Sequence, residues 1–96
     1  MTATAAKPFR RDESPTLRVP GADGFGQPIT LEVQSQQWLN ARTGRYRRVW
    51  SARRVGRLGW DAASSPRVAI ARAAGIPASR RPAWLRDAVD KAAKLR

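Results

Sequence analysis

Residues Ile29–Val55 read ITLEVQSQQWLNARTGRYRRVWSARRV. Apolar and polar side chains alternate on both sides of Ala41-Arg42-Thr43-Gly44, a short loop with glycine where a left-handed residue is needed. The stretch predicts a β-hairpin with long arms. With Leu39 opposite Tyr46, pairing runs outward through Gln37–Arg48, Ser35–Trp50, Val33–Ala52 and Leu31–Arg54. Successive strand residues point to opposite faces, so Leu31, Val33, Leu39, Tyr46, Trp50 and Ala52 share a face that can cover a core. The other face collects Glu32, Gln34, Gln36, Trp38, Arg47, Val49, Ser51, Arg53 and Val55, and is polar and basic. A one-residue slip would exchange the two.

Downstream the period changes. Ser65 suits the cap of a first helix, with Pro66 at its first position and Gly75 just past its end. A second helix is expected from about Pro82 to Leu95, where Trp84, Leu85, Ala88, Val89 and Ala92 recur at helical spacing. Asp87 with Lys91, and Asp90 with Lys94, are acid-before-base pairs four residues apart. Upstream, residues 16–19 suit a short strand and Pro20–Gly24 a turn. Residues 1–15 are small, polar and charged and read as a flexible basic arm. The fold class that follows is α+β, one domain over residues 16–96. A small antiparallel sheet of two or three strands packs against one or two C-terminal helices. Leu31, Val33, Trp50, Leu58, Trp60, Leu85 and Val89 are its expected core.

Charge sets the partner class. The 96 residues carry 19 Lys and Arg against 7 Asp and Glu, a formal net charge of +12. A coding bias toward arginine and alanine would raise the total but would not cluster it. Between Val33 and Trp60 stand seven arginines and no acid: Arg42, Arg45, Arg47, Arg48, Arg53, Arg54 and Arg57. Trp38, Tyr46, Trp50 and Trp60 are interleaved with them. The guanidinium fork fits phosphate oxygens and base edges, and aromatic rings stack on bases. Uncompensated charge of one sign repels itself, so it points to a polyanionic partner. The candidate nucleic-acid-binding set is Trp38 with the seven arginines. Trp50, Trp60 and Trp84 read as core.

Absences prune other classes. With neither Cys nor His, disulfides, zinc fingers and imidazole-based nucleophile activation are out of reach. No apolar run approaches the ~20 residues that span a bilayer, and the N-terminus lacks a secretory hydrophobic segment. A cytoplasmic protein without membrane contact is expected. Glu32 and Asp61 stand isolated, so no catalytic residue, cofactor or metal site is expected and the chain reads as a non-enzyme. The glycines of Gly56-Arg57-Leu58-Gly59 lack the Lys-Ser/Thr of a phosphate-binding loop and read as a turn out of the sheet.

Ala71-Arg72-Ala73-Ala74-Gly75-Ile76 resembles the turn of a helix-turn-helix, but Arg81 and Pro82 depart from that pattern. A helix C-cap accounts for Gly75 instead. The order of a basic hairpin and then a helix is similar to three-stranded DNA-binding modules of some phage-type integrases and plant transcription factors, in architecture alone.

Three functions fit. The first is a DNA-binding accessory or regulatory protein that reads with the hairpin. The second is a protein-binding module or inhibitor, of the kind phages and mobile elements encode, docking on an acidic surface of a nucleic-acid-processing machine. The third is structural RNA binding.

Overall fold

The computed structural model describes residues 7–95. Its elements follow in the order β1 (Arg10–Arg11), β2 (Leu17–Ala22), β3 (Pro28–Asn40), β4 (Arg45–Arg54), β5 (Asp61–Ala63), α1 (Pro66–Ala74) and α2 (Ala83–Ala92). β3 and β4 form the hairpin in the register read from the sequence, with Leu39 opposite Tyr46, Ser35 opposite Trp50 and Leu31 opposite Arg54. Asn40 shapes the turn. Its side-chain oxygen accepts from the Arg42 N–H at 3.0 Å, and its carbonyl accepts from the Gly44 N–H at 2.8 Å.

One antiparallel five-stranded sheet results, packed with two helices: the α+β class expected. β1 and β2 share the outer edge of β3, pairing with Gln37–Trp38 and Pro28–Val33 respectively. β5 runs beside β4 at Trp50–Ala52. The sheet exceeds the two or three strands expected, because two- and three-residue strands are too short to show alternation. β2 also runs into the predicted turn, as far as Ala22. Pro20 stays paired because an edge strand has no second ladder to feed. The chain reverses instead at Asp23, whose carboxylate accepts from the N–H of both Phe25 and Gln27 at 2.9 Å.

The second half of the expected N-terminal arm is docked. The Phe9 carbonyl accepts from the Leu39 N–H at 2.8 Å, and the Ser14 N–H donates to the Ser35 carbonyl at 2.8 Å. β3 is much longer than β2, so its far edge would otherwise present unpaired backbone groups, and residues 9–14 satisfy part of it. Residues 1–6 of the arm lie outside the described residues.

Val19, Leu31, Val33 and Ala52 of the sheet meet Ala69, Ile70, Leu85, Ala88 and Ala92 of the helices in a continuous core, with Trp50, Trp84 and Val89 packed half-buried at its border. The helices cover the face predicted to be apolar, while Gln36, Val49 and Ser51 on the opposite face are buried as well. Two expected core residues are not there: Leu58 is 94 % exposed and Trp60 37 %. Residues 55–60 leave the sheet before β5 rejoins its edge, so their apolar character does not report position.

Helix α1 is capped at both ends as its sequence implies. The Ser65 side chain accepts from the Val68 N–H, Pro66 opens the helix, and Gly75 closes it at φ 74°, a conformation that favours glycine. α2 ends at Ala92, where the carbonyl accepts from the Trp50 indole N–H at 3.1 Å and ties helix to sheet. α2 seats close to β2: a Cβ on Gly21 would lie 2.9 Å from the Trp84 ring. Residues 75–82 separate the helices, so the tight helix-turn-helix connection does not form. Among the described residues, Asp87 and Lys91, and Asp90 and Lys94, do not close into ion pairs.

Candidate nucleic-acid interface

The core's sheet members stop at Val33 on β3 and Trp50 on β4, yet both strands continue to Asn40 and Arg45. The distal half of the ribbon therefore projects past the helices, consistent with overall extents of 58 × 25 × 20 Å. From Gln37 to Arg48 neither strand nor loop carries an acid.

The arginines divide by the partners they meet. Arg42 and Arg45 stand exposed at the tip, and Arg47 is exposed on the face away from the core. Among the described residues these three side chains make no hydrogen bond or ion pair, and neither does exposed Arg57 in the loop after β4. The remaining three are engaged by the protein, Arg48 and Arg54 on the core face and Arg53 on the outer one. Arg48 donates to the Ser35 hydroxyl at 3.1 Å and to the Asp12 carbonyl at 3.5 Å. Arg53 bonds the Glu32 carboxylate across the ribbon at 3.2 Å and covers the Trp60 ring at 4.2 Å. Arg54 shares the core face with Leu31 and donates to the carbonyls of Ala73 and Ala74 at 3.1 and 2.8 Å. There it neutralises the negative end of α1. Of the seven arginines expected to face a ligand, Arg48, Arg53 and Arg54 thus hold the fold as well.

Trp38 is half-buried. Phe9 packs on it at a centroid distance of 5.2 Å, tilted by 43°, and the Arg10 guanidinium lies 5.2 Å from its ring. Its indole N–H donates to Gln36 at 2.7 Å, Gln36 donates to Gln34 at 2.8 Å, and Gln34 donates to the Ser14 carbonyl at 3.0 Å. A chain of amides thus locks the indole to the strand. The accessible ring at this place is Phe9, 55 % exposed, rather than Trp38.

The docked N-terminal segment adds residues absent from the sequence-based set. Lys7 reaches the tip and donates to the Gly44 carbonyl at 3.0 Å, and Arg10 sits exposed beside Trp38. Arg11 lies 3.5 Å over the Tyr46 ring and bonds Gln37, while the Tyr46 hydroxyl donates to the Pro8 carbonyl at 2.7 Å. The signal was a lone Phe9 among Lys7, Arg10 and Arg11, a ring with no reason to be in a solvated tail. Together, Lys7, Arg10, Arg42, Arg45 and Arg47 form a positive rod tip braced by three chain segments. No helix among the described residues is long and apolar enough to cross a membrane. Comparison of the chain with family models, curated proteins and solved structures finds no match.

Proposed function

We propose that the protein binds nucleic acid through the distal half of the β3–β4 ribbon, as a cytoplasmic DNA-binding accessory or regulatory protein. One observation carries this reading. The ribbon projects beyond the core with Arg42, Arg45 and Arg47 unpartnered among the described residues and no acid between Gln37 and Arg48. A fold that engages Arg48, Arg53 and Arg54 internally but leaves these three in solvent has them available for phosphates. β-Strands can also enter the major groove of duplex DNA, whereas side chains cannot read the deep, narrow major groove of RNA helices, which favours DNA.

Docking on an acidic protein surface draws on a different observation. Among the described residues β5 covers β4 only at Trp50–Ala52, and no strand lies beside the outer edge of β4 from Arg45 to Val49. An acidic extended segment could add there as a further strand.

Titration of duplex DNA, single-stranded DNA and structured RNA across a salt series tests the first reading. Affinity should fall steeply with salt and be highest for duplex DNA. Arg42→Ala/Arg45→Ala/Arg47→Ala should lower the slope of log affinity against log salt by about one for each phosphate that is no longer neutralised. Unchanged nucleic-acid affinity in this triple variant would transfer the ribbon to protein docking.

A further inference from the structure

At the opposite end of β4 lies a cleft of about 390 Å³. Arg53 and Arg54 from the strand end, Arg57 and Trp60 from the loop, Asp61 from the start of β5 and Arg72 from the last turn of α1 all line it. Four guanidinium side chains thus face one carboxylate, and Asp61 forms no ion pair with any of them among the described residues.

Two of the arginines prepare the site and two remain open. A helix C-terminus repels anions, but Arg54 already holds the carbonyls of Ala73 and Ala74 and cancels that penalty. Arg53, fixed on Glu32, covers the Trp60 ring and orients one wall. Arg57 and Arg72 are exposed, and their donors are unused among the described residues. The excess charge is therefore unsatisfied by the protein, in a concavity of small-ligand size.

The charge chooses the ligand. A phosphodiester inside a strand carries one negative charge and continues in both directions. A phosphomonoester carries nearly two above its second pKa of about 6 and has three terminal oxygens for charge-assisted bonds. We propose that this cleft binds the terminal phosphate of a nucleotide, held by Arg57 and Arg72, with Trp60 beside the sugar and base. The phosphomonoester belongs to a strand end or to a free mononucleotide. Only the strand-end source rests on the nucleic-acid reading of the ribbon.

The test titrates the intact protein with short oligothymidylates that differ only in a 5′-phosphate or a 5′-hydroxyl, following tryptophan fluorescence, with thymidine 5′-monophosphate as competitor. The phosphorylated strand should bind about ten-fold more tightly, the scale of a charge-assisted contact. The preference should fade as pH drops through about 6, where the second charge is lost. Arg57→Ala/Arg72→Ala changes two exposed residues outside the distal ribbon and should abolish the preference while weakening duplex binding far less than the ribbon triple variant does. The ribbon triple variant should do the reverse. Competition by the mononucleotide at equal strength identifies a free nucleotide as the ligand, and weaker competition identifies a strand end. Equal affinity for the two oligonucleotides, or a preference that survives in Arg57→Ala/Arg72→Ala, overturns the proposal. Loss of duplex binding in the ribbon variant is judged separately, so the two readings fail independently.

Discussion

Seven arginines of identical chemistry in one window do two different jobs, and the partners within reach of each decide which. Arg54 points to the core side and donates to two helix-terminal carbonyls, Ala73 and Ala74. Arg47, on the opposite face, is exposed and unpartnered among the described residues. Arg54→Ala removes charge-assisted bonds and leaves the end of α1 uncompensated, so it should lower unfolding stability by about 1–3 kcal/mol. Arg47→Ala should stay within about 0.5 kcal/mol of the parent, as surface substitutions do. Urea midpoints of the two variants check this contrast, and equal midpoints would mean that Arg54 does not hold α1. The difference was not legible in the sequence. Alternation separates Arg54 from Arg53, but nothing local announces that a helix end nineteen and twenty residues away will need a cation.

At the scale of elements, what was legible was what repeats. The hairpin register was readable because β3 and β4 alternate over ten paired positions and a one-residue slip would have taken Trp50 and Ala52 off the face that Leu31 and Val33 share. The helices were readable from Ser65, Pro66, Gly75 and the stripe through Leu85. β1 and β5 were not, because their pairing depends on the edges of a sheet that must exist first. The cover over Trp38 was hidden for the same reason, since Phe9 reaches it only once the N-terminal segment has docked. That docking turns on Ser14, which is 5 % exposed and whose hydroxyl accepts from the Ser35 N–H at 2.9 Å. Ser14→Ala would leave a buried donor without that acceptor, a loss of about 1–3 kcal/mol. The consequence should be local. Hydrogen exchange at the Ser35 amide and proteolysis within residues 7–14 should both accelerate. Nucleic-acid affinity should also drop, because Lys7 and Arg10 would no longer be held at the ribbon. Parent-like exchange at Ser35 would show that the backbone bond from Ser14 to the Ser35 carbonyl suffices to dock the segment.

For the whole molecule, a net charge of +12 acts on folding and on binding with opposite signs. Within the free protein the positive groups repel. The three ion pairs among the described residues, Arg11–Asp12, Arg18–Glu32 and Arg53–Glu32, offset little of that, the first two being loose at 3.9 and 4.0 Å. Added salt shortens the screening length from about 30 Å at 0.01 M to about 10 Å at 0.1 M, well below the 58 Å long axis. The melting temperature of the free protein should therefore rise over that range. Affinity for DNA should fall over the same range, because salt reduces the gain from counterion release. Removing Arg42, Arg45 and Arg47 should flatten both trends together, since the same unpartnered charges cause both. Thermal melts and binding isotherms recorded in the same buffers make the comparison. A melting temperature that falls with salt would mean that attractive pairs outweigh repulsion in this fold, and the unpartnered arginines would then lose their electrostatic claim to an external polyanion.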